Sequence, residues 1–110
     1  MIVEVIGGVD EHPQAKVVDV DNLGRVHLAL GEVTDEEAAE VLERTGLGRF
    51  RDAVTVLLDV AALRAAAEPR ATSPNWVTRW DEMIAASRSQ GRLSEDGASL
   101  RVPVESAAGG

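Results

Sequence analysis

The sequence predicts a small α+β protein, a mixed β-sheet covered by about three helices in the order βββ-α-β-α-α-β. Three observations support this prediction: β-branched residues fill the N-terminal third, two well-marked helix starts follow, and a short alternating segment lies near the C-terminus. A chain of 110 residues has the size of one domain, which we expect over residues 1–105. Residues 106–110 are small and polar and are expected to fray.

The N-terminal third is expected to form three strands. Residues 2–6 are apolar and β-branched apart from Glu4, and two glycines end the run. Residues 9–14 are expected to form a polar loop. Residues 16–20 and 25–30 then flank the turn-forming sequence Asp-Asn-Leu-Gly, so these two segments are predicted to pair as a hairpin.

Capping residues mark the starts of two helices. Thr34 and Glu37 fit a capping box, in which the Thr hydroxyl accepts from the Glu amide and the Glu carboxylate accepts from the Thr amide. Gly46 is placed to end this helix in the left-handed conformation. Ser73 followed by Pro74 is predicted to start the last helix, which should continue to about residue 90.

The segment 52–59 has two interpretations. Its Val-Thr-Val-Leu-Leu sequence predicts a buried central strand, after which Asp59 would cap a short helix that ends before Pro69. A continuous helix over about 50–68 is the alternative, but the β-branched cluster favours the strand. A helical crossover from the strand 25–30 to this strand would make the two strands parallel.

A C-terminal strand is predicted from alternating apolar residues near the end of the domain. Leu100, Val102 and Val104 alternate with more polar positions, as in a strand with one buried face. Pro103 has no N–H to donate to a neighbouring strand. We therefore expect this strand to lie at an edge of the sheet.

The charge balance and the lack of cysteine narrow the classes of function. The net charge is −8, from 19 acidic and 11 basic residues, so neither a nucleic acid nor an anionic membrane is expected as a partner. No cysteine is present, which excludes disulfides and thiolate metal sites. The chain has no signal-peptide pattern and no apolar run of the roughly 20 residues that span a bilayer, so we expect a cytoplasmic location.

Residues suited to catalysis are scarce, with two histidines, no cysteine and no tyrosine. No nucleophile elbow, zinc motif or phosphate-binding loop occurs, so no catalytic residue, cofactor or metal is predicted. Asp19 would face His27 across the predicted hairpin, a pairing that orients an imidazole, but two ligands do not make a zinc site. The segment 19–30 begins like an EF-hand calcium loop, yet Leu23 and Leu30 occupy ligand positions, so a turn is expected instead.

Trp76 and Trp80 are the most informative pair of side chains. They lie one helical turn apart and, with Phe50, are the only aromatic residues of the chain. Tryptophan is a large core residue, and it is also enriched at binding hot spots. Met83 shares the helix face of the tryptophans and Arg79 flanks it, so this face is either part of the core or an interface.

Three functions from different classes are consistent with these patterns. The first is a non-catalytic interaction module, expected to be a homodimer that associates through the Trp76/Trp80 helix and the Pro103 strand. The second is a small-molecule-binding protein or small enzyme of specialised metabolism. Its pocket would lie between the sheet and the last helix. The lining residues would be Trp76, Trp80, Met83 and Phe50. His27 or Asp19 would be the polar group at its mouth.

The third function is an inhibitor or antitoxin-like protein that binds a basic partner. It depends on the net charge of −8 and on an acidic ridge formed by Glu36, Glu40 and Glu43 on the first helix. Carboxylates that line one solvated helix face suit electrostatic docking and not acid–base catalysis, which needs pKa values driven apart by burial or crowding.

Overall fold

The computed structural model describes residues 1–8 and 11–106, and it confirms the predicted small α+β fold with a mixed sheet. The strands are β1 (Ile2–Gly8), β2 (Glu11–Val18), β3 (His27–Gly31), β4 (Gly48–Asp52), β5 (Thr55–Asp59) and β6 (Ser99–Ser106). The helices are α1 (Asp35–Thr45), α2 (Val60–Ala67) and α3 (Trp76–Ser89), with a short 3-10 turn at Glu68–Arg70. Of the predicted frayed tail, residues 107–110 lie outside the described residues, and Ser106 ends β6.

One six-stranded sheet connects all the strands in the order β2-β1-β3-β6-β5-β4. The pairs β1–β3 and β3–β6 are parallel, and the other three pairs are antiparallel. Alternate residues of the strands face one core, where they meet the apolar faces of the helices. The fully buried members of this core include Val3, Val5, Leu28, Leu42, Leu58 and Leu63.

The hairpin predicted between residues 16–20 and 25–30 is wrong. β1 lies between these segments, and its Ile2 is paired with Val18 of β2 on one side and with His27 of β3 on the other. The turn residues do form a turn, in which the Asn22 amide donates to the Asp19 carbonyl at 3.1 Å. The turn chemistry thus predicted the local geometry but not the pairing partner. The polar loop predicted over 9–14 is also wrong from Glu11 onward, because β2 starts there.

The strand interpretation of the segment 52–59 is confirmed, but its predicted direction is wrong. β5 spans Thr55–Asp59, and Asp59 caps α2 by accepting from the Ala62 amide at 2.8 Å. β5 runs antiparallel to β6, which is parallel to β3, so β5 and β3 have opposite directions. The strand that α1 leads into is β4, which the sequence analysis missed because Phe50 is its only large apolar residue.

The edge position predicted for the Pro103 strand is wrong, because β6 lies between β3 and β5. β6 changes partner along its length: Ser99 to Pro103 pair with β5, and pairing with β3 begins at Val104. The Val104 amide donates toward the β5 side, to the Val54 carbonyl at 2.9 Å. Alternate residues point their amides to opposite sides. The nitrogen of Pro103 therefore faces β3 one residue before that pairing begins, where no donor is needed.

The predicted helix ends are confirmed for α1 and displaced for α3. The capping box of Thr34 and Glu37 is present, and Gly46 ends α1 with φ of 73°. The cap of α3 is Asn75, two residues after the predicted Ser73. The Ser73 hydroxyl donates to Oδ1 of Asn75 at 2.7 Å and its amide donates to Asp21, so both groups hold the turn before the helix, which starts later than the Ser-Pro signal predicts. No helix in residues 1–8 and 11–106 is long and apolar enough to cross a membrane.

Candidate ligand-binding site

The two tryptophans lie in the core of the chain. Trp76 and Trp80 are each 2% exposed, and their stacked rings have centroids 5.3 Å apart. The Trp76 indole N–H donates to the Val20 carbonyl at 2.8 Å, which satisfies its one polar group. The sequence left this helix face as either part of the core or an interface. Both rings lie where core residues lie, and neither is exposed to a partner.

A cavity of about 320 Å³ lies beside the same helix. It is bounded by α3, by the segment that leads into β3, and by the first half of β6. The partner change of β6 explains its position, since residues 99–103 of β6 are paired with β5 and not with β3. The sheet therefore opens between β3 and β6. The segment 92–94 bonds to residues 99–101 on this side of β6, and α3 borders the rest of the gap.

The cavity has an apolar floor and a mainly cationic rim. Its apolar lining includes Leu23, Val26, Met83, Leu100 and Val102, and its charged lining consists of Arg79, Arg92, Arg101 and Glu82. Met83, predicted to line a pocket, and Arg79, predicted to flank the same helix face, both line this cavity, whereas Trp76, Trp80 and Phe50 do not. Arg92 and Arg101 were missed, because an arginine in a turn and one on a strand carry no signal in the sequence.

Asp21 holds the segment before β3 against the start of α3. Its carboxylate accepts from the Thr72 hydroxyl at 2.6 Å, from the Thr72 amide at 3.1 Å and from the Ser73 amide at 3.1 Å. These hydrogen bonds, first that of the Thr72 hydroxyl, lower the pKa of Asp21, and the charge of Arg79 contributes in the same direction. The contacts fix the relative position of two walls of the cavity.

His27 lies on the opposite face of the sheet and not at the mouth of the cavity. Its side chain is 13% exposed, and its Nε2 lies 3.1 Å from Oε2 of Glu105. The other oxygen of Glu105 accepts from Arg25. The carboxylate next to His27 is therefore Glu105 of β6, not the predicted Asp19, because β3 is paired with β6 and not with β2. No pattern in the sequence indicates this strand pairing.

The remaining candidate residues do not assemble into a further site. Asp19 faces its own turn, where it accepts weakly from Asn22 at 3.4 Å, and His12 is exposed on β2. Glu36, Glu40 and Glu43 are exposed on α1. Within the described residues, no three side chains of His, Asp or Glu come together as a possible metal site.

The geometry of the cavity suits one class of ligand. Guanidinium groups bind carboxylates and phosphates through paired N–H donors, and three of them surround an apolar floor here. Only Glu82 opposes them within the lining. The arrangement is complementary to a small molecule with one anionic group and an apolar body.

Comparison with known proteins places the chain in no established group. No protein-family model matches it, and neither the curated proteins nor the solved structures contain a match.

Proposed function

We propose that this protein binds a small organic anion with an apolar body in the cavity beside α3. The observation that carries the proposal is the combination of an apolar floor with three arginines at the rim of one concave site. It is a specific form of the small-molecule-binding function that the sequence suggests. The residues that line the cavity provide positive charge and apolar surface for binding a ligand. None of them provides a nucleophile next to a base.

The size of the cavity supports a small ligand. Its volume of about 320 Å³ is at the lower end of the roughly 300–1,000 Å³ typical of ligand pockets. Transfer of an alkyl or aryl group onto Leu23, Val26 and Leu100 supplies a hydrophobic contribution of about 25 cal/mol per Å² of buried surface. Because the cavity volume is small, the ligand body is expected to contain on the order of ten carbon atoms or fewer.

The charge of the rim supports an anionic group. The exposed Arg79 and Arg92 and the half-buried Arg101 each carry a permanent positive charge, whereas the chain as a whole has a net charge of −8. Because the overall field opposes an anion, binding depends on the local arginines, and it should weaken when salt screens them.

Interaction functions stay predictions. Homodimerisation and binding of a basic partner were both derived from surface features, and the tryptophan face assigned to the first is in the core. The acidic ridge of Glu36, Glu40 and Glu43 is exposed and keeps the second open to a direct binding experiment. The acidic ridge shares no residue with the cavity, whereas the predicted dimer surface on α3 shares Arg79 and Met83 with it.

Ligand-observed NMR on a panel of matched compounds tests the proposal. We expect octanoate and phenylpropionate to show saturation transfer from the protein, with a Kd on the order of 1 mM or lower, and their alcohol counterparts to bind at least tenfold more weakly. Equal binding of acids and alcohols would contradict the role of the arginines.

Two pairs of variants place the ligand in the cavity. Ala86→Trp fills the site from an exposed lining position, and Ala85→Trp, at the next exposed position outside the lining, is its control. Arg79→Gln removes a rim charge, and Arg88→Gln removes an exposed charge of the same helix outside the lining. We expect only the first variant of each pair to weaken binding of octanoate. Equal effects within both pairs would show that binding occurs elsewhere.

A further inference from the structure

The two edges of the sheet differ in whether their backbone groups have partners. At the β2 edge, Arg44 donates to the Pro13 carbonyl at 3.1 Å and Arg70 donates to the Val17 carbonyl at 2.7 Å. Side chains from α1 and from the 3-10 turn thus occupy groups that a further strand would need. A covered edge of this kind resists pairing with another chain.

The β4 edge lacks such partners. The Leu47 carbonyl accepts from the Asp59 amide at 2.8 Å, so the backbone of Leu47 and Arg49 faces β5 and that of Gly48 and Phe50 faces outward. Among the described residues, no side chain or loop bonds the outward groups of Gly48 and Phe50. This edge therefore offers a donor–acceptor pattern for one more strand.

Arginines surround this edge on the solvent-facing side of the sheet. Arg49 and Arg101 flank Leu57 as its cross-strand neighbours, on the face opposite the buried Val56 and Leu58. A second cavity, of about 200 Å³, is lined by these two arginines together with Arg51 and Arg92, and by no acidic residue.

The four arginines have no carboxylate partners. Within the described residues, ion pairs are formed by Arg25, His27 and Arg64, but not by these four, and the Arg101 guanidinium donates only to the Gly91 carbonyl, at 3.3 Å. The nearby Asp52 carboxylate accepts from the Val54 amide at 2.9 Å and forms no ion pair within the described residues. Unpaired positive charges are concentrated here, although acids outnumber bases in the chain by 19 to 11.

We infer that the β4 edge binds an extended acidic segment of a partner protein, which adds to the sheet as a further strand. Its backbone would bond to Gly48 and Phe50, and its Asp or Glu side chains on the solvent-facing side would face Arg49 and Arg51. Arg92 and Arg101 line both cavities, whereas Arg49 and Arg51 do not line the cavity beside α3, so variants at these two positions test this interaction separately from the ligand-binding function proposed above.

A second copy of the chain is a poor occupant of the same edge. Antiparallel pairing of two β4 strands about Phe50 would bring Arg49 of one copy close to Arg51 of the other, which lies in the bulge between Phe50 and Asp52, and like charges at close range repel. A segment with alternating carboxylates turns this repulsion into attraction. The arginines thus select an acidic strand and reject self-association.

Fluorescence anisotropy with a labelled peptide of alternating glutamate and valine, about eight residues long, tests the inference. We expect saturable binding that weakens at least tenfold in the double variant Arg49→Gln with Arg51→Gln. The double variant Arg64→Gln with Arg88→Gln removes the same charge from α2 and α3, away from the β4 edge, and should bind normally. Absence of binding by the unaltered protein, or equal losses in both double variants, would overturn the inference.

The backbone contribution is tested with the same peptide carrying N-methyl groups on alternate amides. In ¹H–¹⁵N spectra, the unmethylated peptide should shift the Gly48 and Phe50 amides, and methylation should reduce affinity at least tenfold. Equal binding of the methylated peptide would show attraction by the arginines without strand addition and would overturn the inference. If sedimentation experiments show a dimer that forms through the β4 edge, the inference would likewise be overturned. Octanoate binding to the cavity beside α3 is measured in a separate experiment. If octanoate does not bind, the outcome of the peptide experiment still stands.

Discussion

The sheet has a closed half, β2-β1-β3, and an open half, β6-β5-β4, and they differ in where their polar groups find partners. Both halves bury apolar side chains, such as Val3 in the first and Leu58 in the second. In the closed half, arginines bond the edge carbonyls of β2. In the open half, the arginines around β4 are unpaired within the described residues, and a cavity lies where β6 separates from β3. Binding capacity is therefore expected where internal partners are missing.

The largest effect is expected from the buried core that both halves share. Leu28→Ala should lower the free energy of unfolding by about 3 kcal/mol, because Leu28 is 0% exposed in β3 and truncation leaves a cavity. Val54→Ala, at a position that is 67% exposed beside β4, should change it by less than about 0.5 kcal/mol. Urea denaturation measures both. Similar losses would mean that β4 is covered in solution.

A smaller effect is expected where α3 is attached to the closed half. Trp76→Phe removes the donor to the Val20 carbonyl, whereas Trp80, equally buried, makes no hydrogen bond through its indole in the described structure. Trp76→Phe should therefore cost about 1–2 kcal/mol more than Trp80→Phe in the same urea experiment. Equal costs would mean that the Val20 carbonyl finds another donor.

The two edges should respond in opposite ways to loss of an arginine. Arg70→Met keeps most of the side-chain length but removes the donor to the Val17 carbonyl, and should cost about 1 kcal/mol. Arg51→Met removes an unpaired charge from a cationic cluster and should leave stability unchanged or raise it slightly. If both variants lose stability equally, the distinction between a covered and an uncovered edge fails.

The smallest effect concerns acid stability and the contacts of Asp21 with the segment that leads into α3. The pKa of Asp21 is lowered below its ordinary value of 3.8 by hydrogen bonds from Thr72 and Ser73. The stabilisation is complete above that ordinary value and is lost as pH falls through the lowered pKa of the folded state. Asp21→Asn should thus reduce the urea midpoint at neutral pH and flatten its decline in acid, with the exposed Asp81→Asn as control. A parallel acid decline in Asp21→Asn and the unaltered protein would refute this account.

Local signals in the sequence were reliable for α1 and α2, where one segment determines its own geometry, but not for α3, whose cap is Asn75 and not Ser73. The capping box of Thr34 and Glu37, the left-handed Gly46 and the cap at Asp59 all depend on neighbours within a few residues, and all are present. The β-branched residues 54–58 likewise favoured a strand through their own steric preferences, and β5 begins at Thr55.

Long-range pairing could not be derived in the same way. The turn at Asp19 is consistent with a hairpin, yet parallel pairing of β3 with β1 instead of β2 depends on the packing of the whole sheet. The partner change at Pro103 and the pair of His27 with Glu105 are consequences of that packing. The rim of the cavity combines Arg79, Arg92 and Arg101 from three segments, which no local pattern links.

An NMR titration of the ¹⁵N-labelled protein with octanoate tests the central claim, anion binding in the cavity beside α3, most directly. The account predicts saturable shifts of the Gly24, Ala86 and Val102 amides, which border the cavity from its three walls, with little change at Val17 in the β2 strand. The absence of saturable shifts, or shifts that map away from these three walls, would contradict it.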